Sequence, residues 1–417
     1  MKQIFHTPEG VRDIYGKECE KKQYLQQRLQ KVFHAYGYQD IETPTFEYFD
    51  VFGTEIGTTP SRELYKFFDR EGNTLVLRPD FTPSIARAAS MYFQKEELPI
   101  RLCYRGNTFV NNSSYQGRLK ESTQMGVELI GDPSADADGE IIALIVQLLK
   151  ETGLKEFQIS IGQVDFFKSL VEEAGLSEEA TSNLRQLISN KNYFGVEELI
   201  CKQNVSEELE HVFTMLPQLF GSQEVLQRAK KMTSNPGAVK AIERLEELHQ
   251  VLVQYHCEEY VSYDLGMLSK YSYYTGIIFQ GYTYGTGEPL VKGGRYNQLL
   301  AHFGNPAPAI GFGLVMDQIL NALNRQKIEV PVMNDKTLVV YKEMYRASAI
   351  QIAMEHRNNQ MNVQCMKTDA SKTEMDYVEY GKHHQFGELI YPISETQIKI
   401  VNLFTDEESV MNIEHFR

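Results

Sequence analysis

Between residues 18 and 36 apolar side chains recur at helical spacing, at Tyr24, Leu25, Leu29, Val32 and Phe33, and Gly37 stops the run. The pattern predicts an amphipathic helix. IETPTFEYFDVF follows, rich in β-branched and aromatic residues but interrupted by Pro44, which predicts a broken or edge strand. Two apolar-aromatic runs around Arg70-Glu71-Gly72-Asn73 predict a hairpin whose second strand delivers Arg78, Pro79 and Asp80. A helix is expected over 86–93. The runs IRLCYRGNTFV and STQMGVELIG then read as an antiparallel pair joined by NNSSYQGRLKE. From about 165 to 257 the spacing turns helical, with Val239, Ile242, Leu245, Leu248 and Leu252 on one face after the Asn235-Pro236-Gly237 turn. Strand character returns at VSYDLG and YYTGIIFQGYTYG. GGRYNQLL, whose double glycine has a tight-turn reading, leads to the Gly-rich strand AIGFGLVM and the helix DQILNALNRQ. After IEVPVMNDK, strands and helices alternate as in a small α/β domain: TLVVY, a helix over 347–357, MNVQC, a helix over 374–384, ELIYPI and IKIVNLF.

At roughly 150 residues per domain, the 417 residues suggest two to three domains. The pattern divides them into a core of 1–164 plus 257–327, a helical insertion over 165–256 and a terminal domain over 334–417. With 42% hydrophobic and 24% charged residues the chain has the composition of a globular protein rather than a disordered one. The longest apolar run, 141–149, is less than half of the ~20 residues a membrane span needs, so it reads as a buried helix. The opening MKQIFHTPEGVRD lacks an apolar stretch followed by small residues, and the expected compartment is the cytoplasm. Five scattered cysteines suit neither a disulfide framework nor a zinc knuckle. A net charge of −14 argues against a dedicated nucleic-acid binder.

Hydrolase, kinase, P-loop and zincin signatures are absent, so no catalytic residue, metal or cofactor is expected from short motifs. The Asn111-Asn112-Ser113 sequon reads as chance and Gly285-Thr286-Gly287 as a turn. Four ordered stretches are more specific. LYKFFDREGNTLVLRPDFTPSIAR, RLCYRGNTFVNNSSYQGRLKESTQMGVELIG, YSYYTGIIFQGYTYG with GGRYNQLL, and PAIGFGLVMDQIL together resemble the histidyl-tRNA synthetase family of class II synthetases. The resemblance covers roughly the first 325 residues. It implies an α+β fold with an antiparallel six-stranded sheet flanked by helices, a helical insertion and a small α/β domain like that family's anticodon-binding domain.

The family's ATP side is altered at each charged position. Amino-acid activation sets a triphosphate against a carboxylate, and fixed cations must stabilise the charge that shifts onto the leaving group. Where the family's Phe-Arg-x-Glu element has arginine and glutamate, this chain has Val110 and Asn112; Gln318 replaces the arginine of motif three and Ser269 the arginine of Arg-Gly-Leu-Asp-Tyr-Tyr. Lys270 and Arg118 are the nearby cations, but an ammonium out of register does not reproduce a bidentate guanidinium. The resemblance therefore implies a dead adenylation site. The amino-acid side keeps its chemistry: Asp80 and Thr82 for the α-amino group, Gln124 and Glu128 for polar contact, Tyr274 and Tyr296 around an imidazole. Asp80 stands where the family has Glu. A bland reading makes these six residues relics, satisfied polar groups and core filler.

Losing the ATP arginines while keeping the pocket resembles the synthetase-like regulatory subunits of ATP phosphoribosyltransferase, the first enzyme of histidine biosynthesis. That resemblance implies a non-catalytic chain working with a short-form catalytic subunit in a hetero-oligomer, with free histidine as effector and self-dimerisation through IETPTFEYFDVF. Histidine is expected either in the inherited pocket or at the subunit interface. A divergent histidyl-tRNA synthetase is the alternative, and a synthetase-like RNA-binding module a third; acidic residues outnumber basic ones over 335–417, which argues against strong tRNA binding.

Overall fold

The computed structural model describes residues 6–53, 59–112, 119–269, 273–331 and 336–413. They form two compact units, Met1–Val330 and Pro331–Arg417.

In the first unit the strands are β1 (Gln39–Asp40), β2 (Phe46–Tyr48), β3 (Lys66–Phe68), β4 (Thr74–Leu77), β5 (Ile100–Phe109), β6 (Glu121–Ile130), β7 (Phe157–Gln163), β8 (Phe220–Gly221), β9 (Val261–Asp264), β10 (Ile277–Thr283), β11 (Val291–Arg295) and β12 (Ala309–Val315). The helices are α1 (Gly16–Ala35), α2 (Thr82–Tyr92), α3 (Ala135–Glu151), α4 (Val164–Ala174), α5 (Glu178–Ser189), α6 (Tyr193–Cys201), α7 (Glu207–Met215), α8 (Glu224–Lys230), α9 (Pro236–Gln254) and α10 (Met316–Arg325).

Nine strands make one sheet in the order β1-β5-β6-β12-β11-β10-β7-β9-β8. The expected six antiparallel strands are its centre, β5 to β7; the parallel pairs β1 with β5 and β7 with β9 extend it on both sides. The run over 141–149 lies in α3, which is apolar on nearly every side because it is buried against the sheet, α1 and α9. Phe46–Tyr48 is a strand and Phe49–Phe52 a 3-10 turn, the interruption expected around Pro44; β2, β4 and β3 form a separate three-stranded sheet. α2 begins four residues earlier than the expected 86, since Pro83 occupies its first turn, where a missing N–H does no harm.

The double glycine of GGRY is no turn. Gly293 and Gly294 lie inside β11, where an added Cβ on Gly293 would overlap the Gly311 carbonyl and the Phe279 ring. Here glycine permits close approach within the sheet rather than reversing the chain.

Asp138 of α3, completely buried, joins three elements. Arg295 of β11 donates from Nε to Oδ1 at 2.8 Å, and Arg244 of α9 donates from Nε and Nη2 to Oδ2 at 3.0 and 2.8 Å. Both arginines also cap carbonyls of the 132–134 segment that precedes α3.

The second unit is a five-stranded sheet, β13 (Lys336–Tyr341), β14 (Asn362–Lys367), β15 (Glu388–Pro392), β16 (Gln397–Asn402) and β17 (Glu408–Asn412), with α11 (Arg346–Asn358) and α12 (Glu374–His383). One apolar cluster includes Ile352 and Ala353 of α11, and a second includes Tyr377 of α12. β17 is absent from the sequence reading because its residues are mostly exposed and leave no alternating apolar signal.

Candidate functional site

The site begins with strand register. β5 pairs with β6 so that Leu102 faces Glu128 and Tyr104 faces Gly126; β6 pairs with β12 so that Glu128 faces Gly311 and Gly126 faces Gly313. Side chains alternate across a strand, which puts Tyr104, Gln124 and Glu128 on one face over a floor of glycines. The floor is necessary: a Cβ at Gly311 would overlap the Glu128 carboxylate, and one at Gly126 the Tyr104 hydroxyl.

Glu128 has no exposed surface. Thr82, the first residue of α2, donates its hydroxyl to Oε1 at 2.8 Å, and Tyr296, just beyond β11, donates to Oε2 at 2.5 Å. Burial pushes the Glu128 carboxyl up to about 8, the Asp80 charge adds to that, and the two hydroxyl donors pull the other way. Burial and the Glu128 charge also hold the Tyr296 phenol far above its usual value, so it remains a neutral donor.

Asp80 sits at the entrance to α2, accepting from the Thr82 N–H at 3.4 Å and from the Tyr273 hydroxyl at 3.4 Å. Its pKa is raised, chiefly by burial. Tyr273 leans on Tyr274 with ring centroids 4.5 Å apart and meets Tyr296 edge-on at 5.9 Å. Among the described residues no Lys, Arg or His forms an ion pair with either acid. The Arg78 guanidinium is engaged elsewhere: it donates to the carbonyls of Asn107, Thr43 and Pro44 and lies over Phe81. Phe81 in turn stacks on Tyr104 at 4.3 Å.

Of the six residues expected from sequence, Thr82 and Tyr296 both donate to Glu128, and Asp80 and Tyr274 join them through Tyr273. Gln124 shares the face but stands four residues along β6, roughly 13 Å of strand rise away, beside Gly313. Tyr273 and Tyr104 are additions. Residues 273–276 precede β10, so strand alternation does not separate the neighbouring tyrosines; Tyr104 becomes legible only once its pairing with Gly126 is known.

The four positions expected from the resemblance to have lost ATP-side charges, Val110, Asn112, Ser269 and Gln318, are ordinary in their surroundings. Val110 donates its N–H to Lys120 O at 2.9 Å, and the Asn112 amide donates to Leu119 O at 3.4 Å. The Ser269 carbonyl accepts from Arg185 of α5 at 3.2 Å, a guanidinium brought by the insertion that sequence reading did not anticipate. Gln318 follows Asp317, which accepts from the Thr123 N–H at 2.8 Å and pairs with Lys22 at 3.2 Å. Lys270 and Arg118 lie outside the described residues.

Among the described residues one group has metal-ligand spacing, His34, Asp40 and Cys103 within 4.8 Å, on or beside the β1–β5 edge and apart from the pocket. Its Asp40 already accepts hydrogen bonds from Gln30 and Cys103 and pairs with His34. No helix among the described residues is long and apolar enough to cross a membrane.

Residues 10–319 match the family model described as histidyl-tRNA synthetase. An ATP phosphoribosyltransferase regulatory subunit from Acetivibrio thermocellus is 41% identical over 409 residues, covering 98% of this chain and 97% of that protein. The crystal structure of an ATP phosphoribosyltransferase regulatory subunit/histidyl-tRNA synthetase from Bacillus halodurans matches with a TM-score of 0.84 and 34% identity, over 94% of this chain and 100% of that one. Histidyl-tRNA synthetase from Nostoc shares the fold at a TM-score of 0.81 and 17% identity, over the whole of both chains. With full-length identity at this level on a class II synthetase fold, the chain belongs to the ATP phosphoribosyltransferase regulatory subunit family, a branch of histidyl-tRNA synthetase-like proteins.

Proposed function

We propose that this chain is the non-catalytic partner of a short-form ATP phosphoribosyltransferase, required for that enzyme's activity in the first step of histidine biosynthesis, and that free histidine is sensed in the Glu128 pocket. One observation carries the ligand assignment: fully buried Glu128 and partly exposed Asp80 have no cation paired to them among the described residues, and they are set among tyrosine hydroxyls on a glycine floor. A buried carboxylate without a partner is expensive, and a ligand bearing an ammonium and an imidazole answers both acids. Asp80 and Thr82 take the α-amino group. Glu128 and Tyr296 take the ring nitrogens, and the Tyr273–Tyr274 pair walls the ring. Gln124 stands farther along β6 on the same face.

The adenylation positions support a regulatory rather than a ligase role. Val110, Asn112, Ser269 and Gln318 offer no guanidinium fork for a triphosphate, and removal of one such donor typically costs about 2.7–4 kcal/mol of transition-state stabilisation. Feedback requires two states that differ in histidine affinity, because an effector shifts an equilibrium only by its differential binding.

The test is phosphoribosyl-ATP formation by the short catalytic subunit, with and without this chain, and with histidine titrated into the active mixture. Activation together with histidine inhibition is expected. Absence of activation, or histidine-dependent pyrophosphate exchange by this chain alone, would overturn the assignment in favour of a divergent synthetase.

A further inference from the structure

On the face of the large sheet opposite Glu128, a cavity of about 430 Å³ opens between the insertion and the core. Its walls are the first turns of α4 and α9, the Thr275–Ile277 backbone, and Arg295 with Asn297 on either side of Tyr296. It shares no lining side chain with the Glu128 cluster. Arg295 and Ile277 lie on the other surface of the sheet because alternate strand residues point to opposite faces.

The charges in this cavity sort into two kinds. Arg244 and Arg295 are already satisfied by Asp138 and by backbone carbonyls. Asp165, at the start of α4, and Lys240, one turn into α9, are in no ion pair among the described residues; burial, the strongest influence on the Asp165 carboxyl, raises its pKa, and Lys168 and then Lys240 pull it down. The Asp165 carboxylate is half-buried and accepts no hydrogen bond among those residues. Gln163 is 3% exposed; its Oε1 accepts from the Asp165 N–H at 3.3 Å, while its amide N–H groups have no protein partner among the described residues and open onto the cavity. The cavity thus presents a carboxylate, an ammonium and a side-chain amide, none of them in an ion pair or donating to protein among the described residues, in a volume typical of small-molecule sites.

We propose that this cleft is a second small-molecule site that takes a zwitterionic α-amino acid, its carboxylate on Lys240 and the Gln163 amide and its ammonium on Asp165. A ligand with a single charge leaves one of the two ends unpaired. The site also borders the backbone that carries Tyr274 and Tyr296 of the Glu128 pocket: the Asn297 N–H donates to Thr275 Oγ1 at 2.8 Å and the Thr275 N–H donates to Arg295 O at 2.9 Å.

The experiment is calorimetric titration of the full chain with free amino acids, L-histidine first, and with histamine and imidazolepropionate as single-charge controls. Lys240→Gln, Asp165→Asn and Glu128→Gln variants are titrated alongside. Lys240 is exposed and Asp165→Asn nearly isosteric, so both variants should fold. The expected result is an amino-acid binding event that each of the two cleft variants weakens about tenfold or more, the loss of one charge-assisted contact, that Glu128→Gln leaves unchanged, and that neither control reproduces. The proposal is overturned if no amino acid binds, or if all binding is lost in Glu128→Gln and untouched in Lys240→Gln and Asp165→Asn. The last pattern leaves the Glu128 pocket standing, and the converse pattern leaves only the cleft.

Discussion

Glu128 is a carboxyl whose partners among the described residues are two hydroxyl donors, and its titration is therefore a property of the fold. In the folded chain its pKa rises from an ordinary 4.5 to about 8. The folded state holds the proton that the unfolded state releases, so stability falls as pH rises through that interval, by at most about 1.4 kcal/mol per pH unit, and levels off above it. Glu128→Gln removes this dependence. Its chemical-denaturation midpoint should vary less between about pH 5 and 8 than that of the parent, with the variant gaining most at the alkaline end; parallel curves would mean that Glu128 is ionised in the empty protein. The same substitution should weaken histidine binding several-fold by calorimetry, since a carboxyl that can pass its proton to the imidazole and form a charge-assisted bond becomes an amide that cannot. Unchanged affinity would move the effector elsewhere. Sequence resemblance picked out Asp80, Thr82, Glu128 and Tyr296. It passed over Tyr273, whose role depends on a segment that only the structure shows to lie outside a strand.

At the scale of the element, the glycines of β11 and β12 set how closely the sheet approaches the pocket. Gly311 faces Gly294 on one side and Glu128 on the other, and a Cβ there meets the Val127 carbonyl at 2.5 Å as well as the carboxylate. The carbonyl belongs to the ladder and cannot swing away. Gly311→Ala should therefore destabilise the chain by about 1–3 kcal/mol, the usual range for overpacking, and displace Glu128 from Thr82. A urea titration reads the first effect and histidine binding the second; a variant as stable as the parent would show that the sheet can spread at this point. The Gly-rich strand was recognisable in AIGFGLVM, but the reason for its glycines was not, because the obstructing atoms belong to β5 and β6. The double glycine of GGRY was open to a turn reading for the same cause: local sequence does not distinguish a glycine that bends the chain from one that lets another strand come close.

For the whole molecule, the three-stranded sheet leaves an apolar face uncovered. Phe46, Tyr48 and Phe67 are 51%, 57% and 38% exposed, with Phe46 and Phe67 in edge contact at 5.7 Å, and all three lie in or opposite the IETPTFEYFDVF region. A second copy covering this face is the arrangement expected of the class II resemblance. Light scattering at micromolar concentration should return the mass of two chains, and Phe46→Glu combined with Tyr48→Glu should shift it toward one. A monodisperse parent of single-chain mass would remove the dimer from the scheme. Overall charge acts at this scale too: at −14, and with acids in excess over 335–417, long-range steering does not favour a polyanion such as tRNA.

The sequence by itself determined most of the order of elements, the buried helix of 141–149, the antiparallel pairing of the two strands over 100–130 and the family resemblance. These rest on periodicity and on short contiguous motifs, which neighbouring residues are enough to specify. Only the tertiary structure decided which groups meet. Thr82 reaches Glu128 across 46 positions and Tyr296 across 168, and neither distance leaves a trace in local pattern. The nine-stranded extent of the sheet, the Asp138 clamp and the cleft between α4, α9 and β11 belong to the same class. Each is built from residues far apart in the chain, and their environment exists only once the sheet has closed and water has been excluded from it.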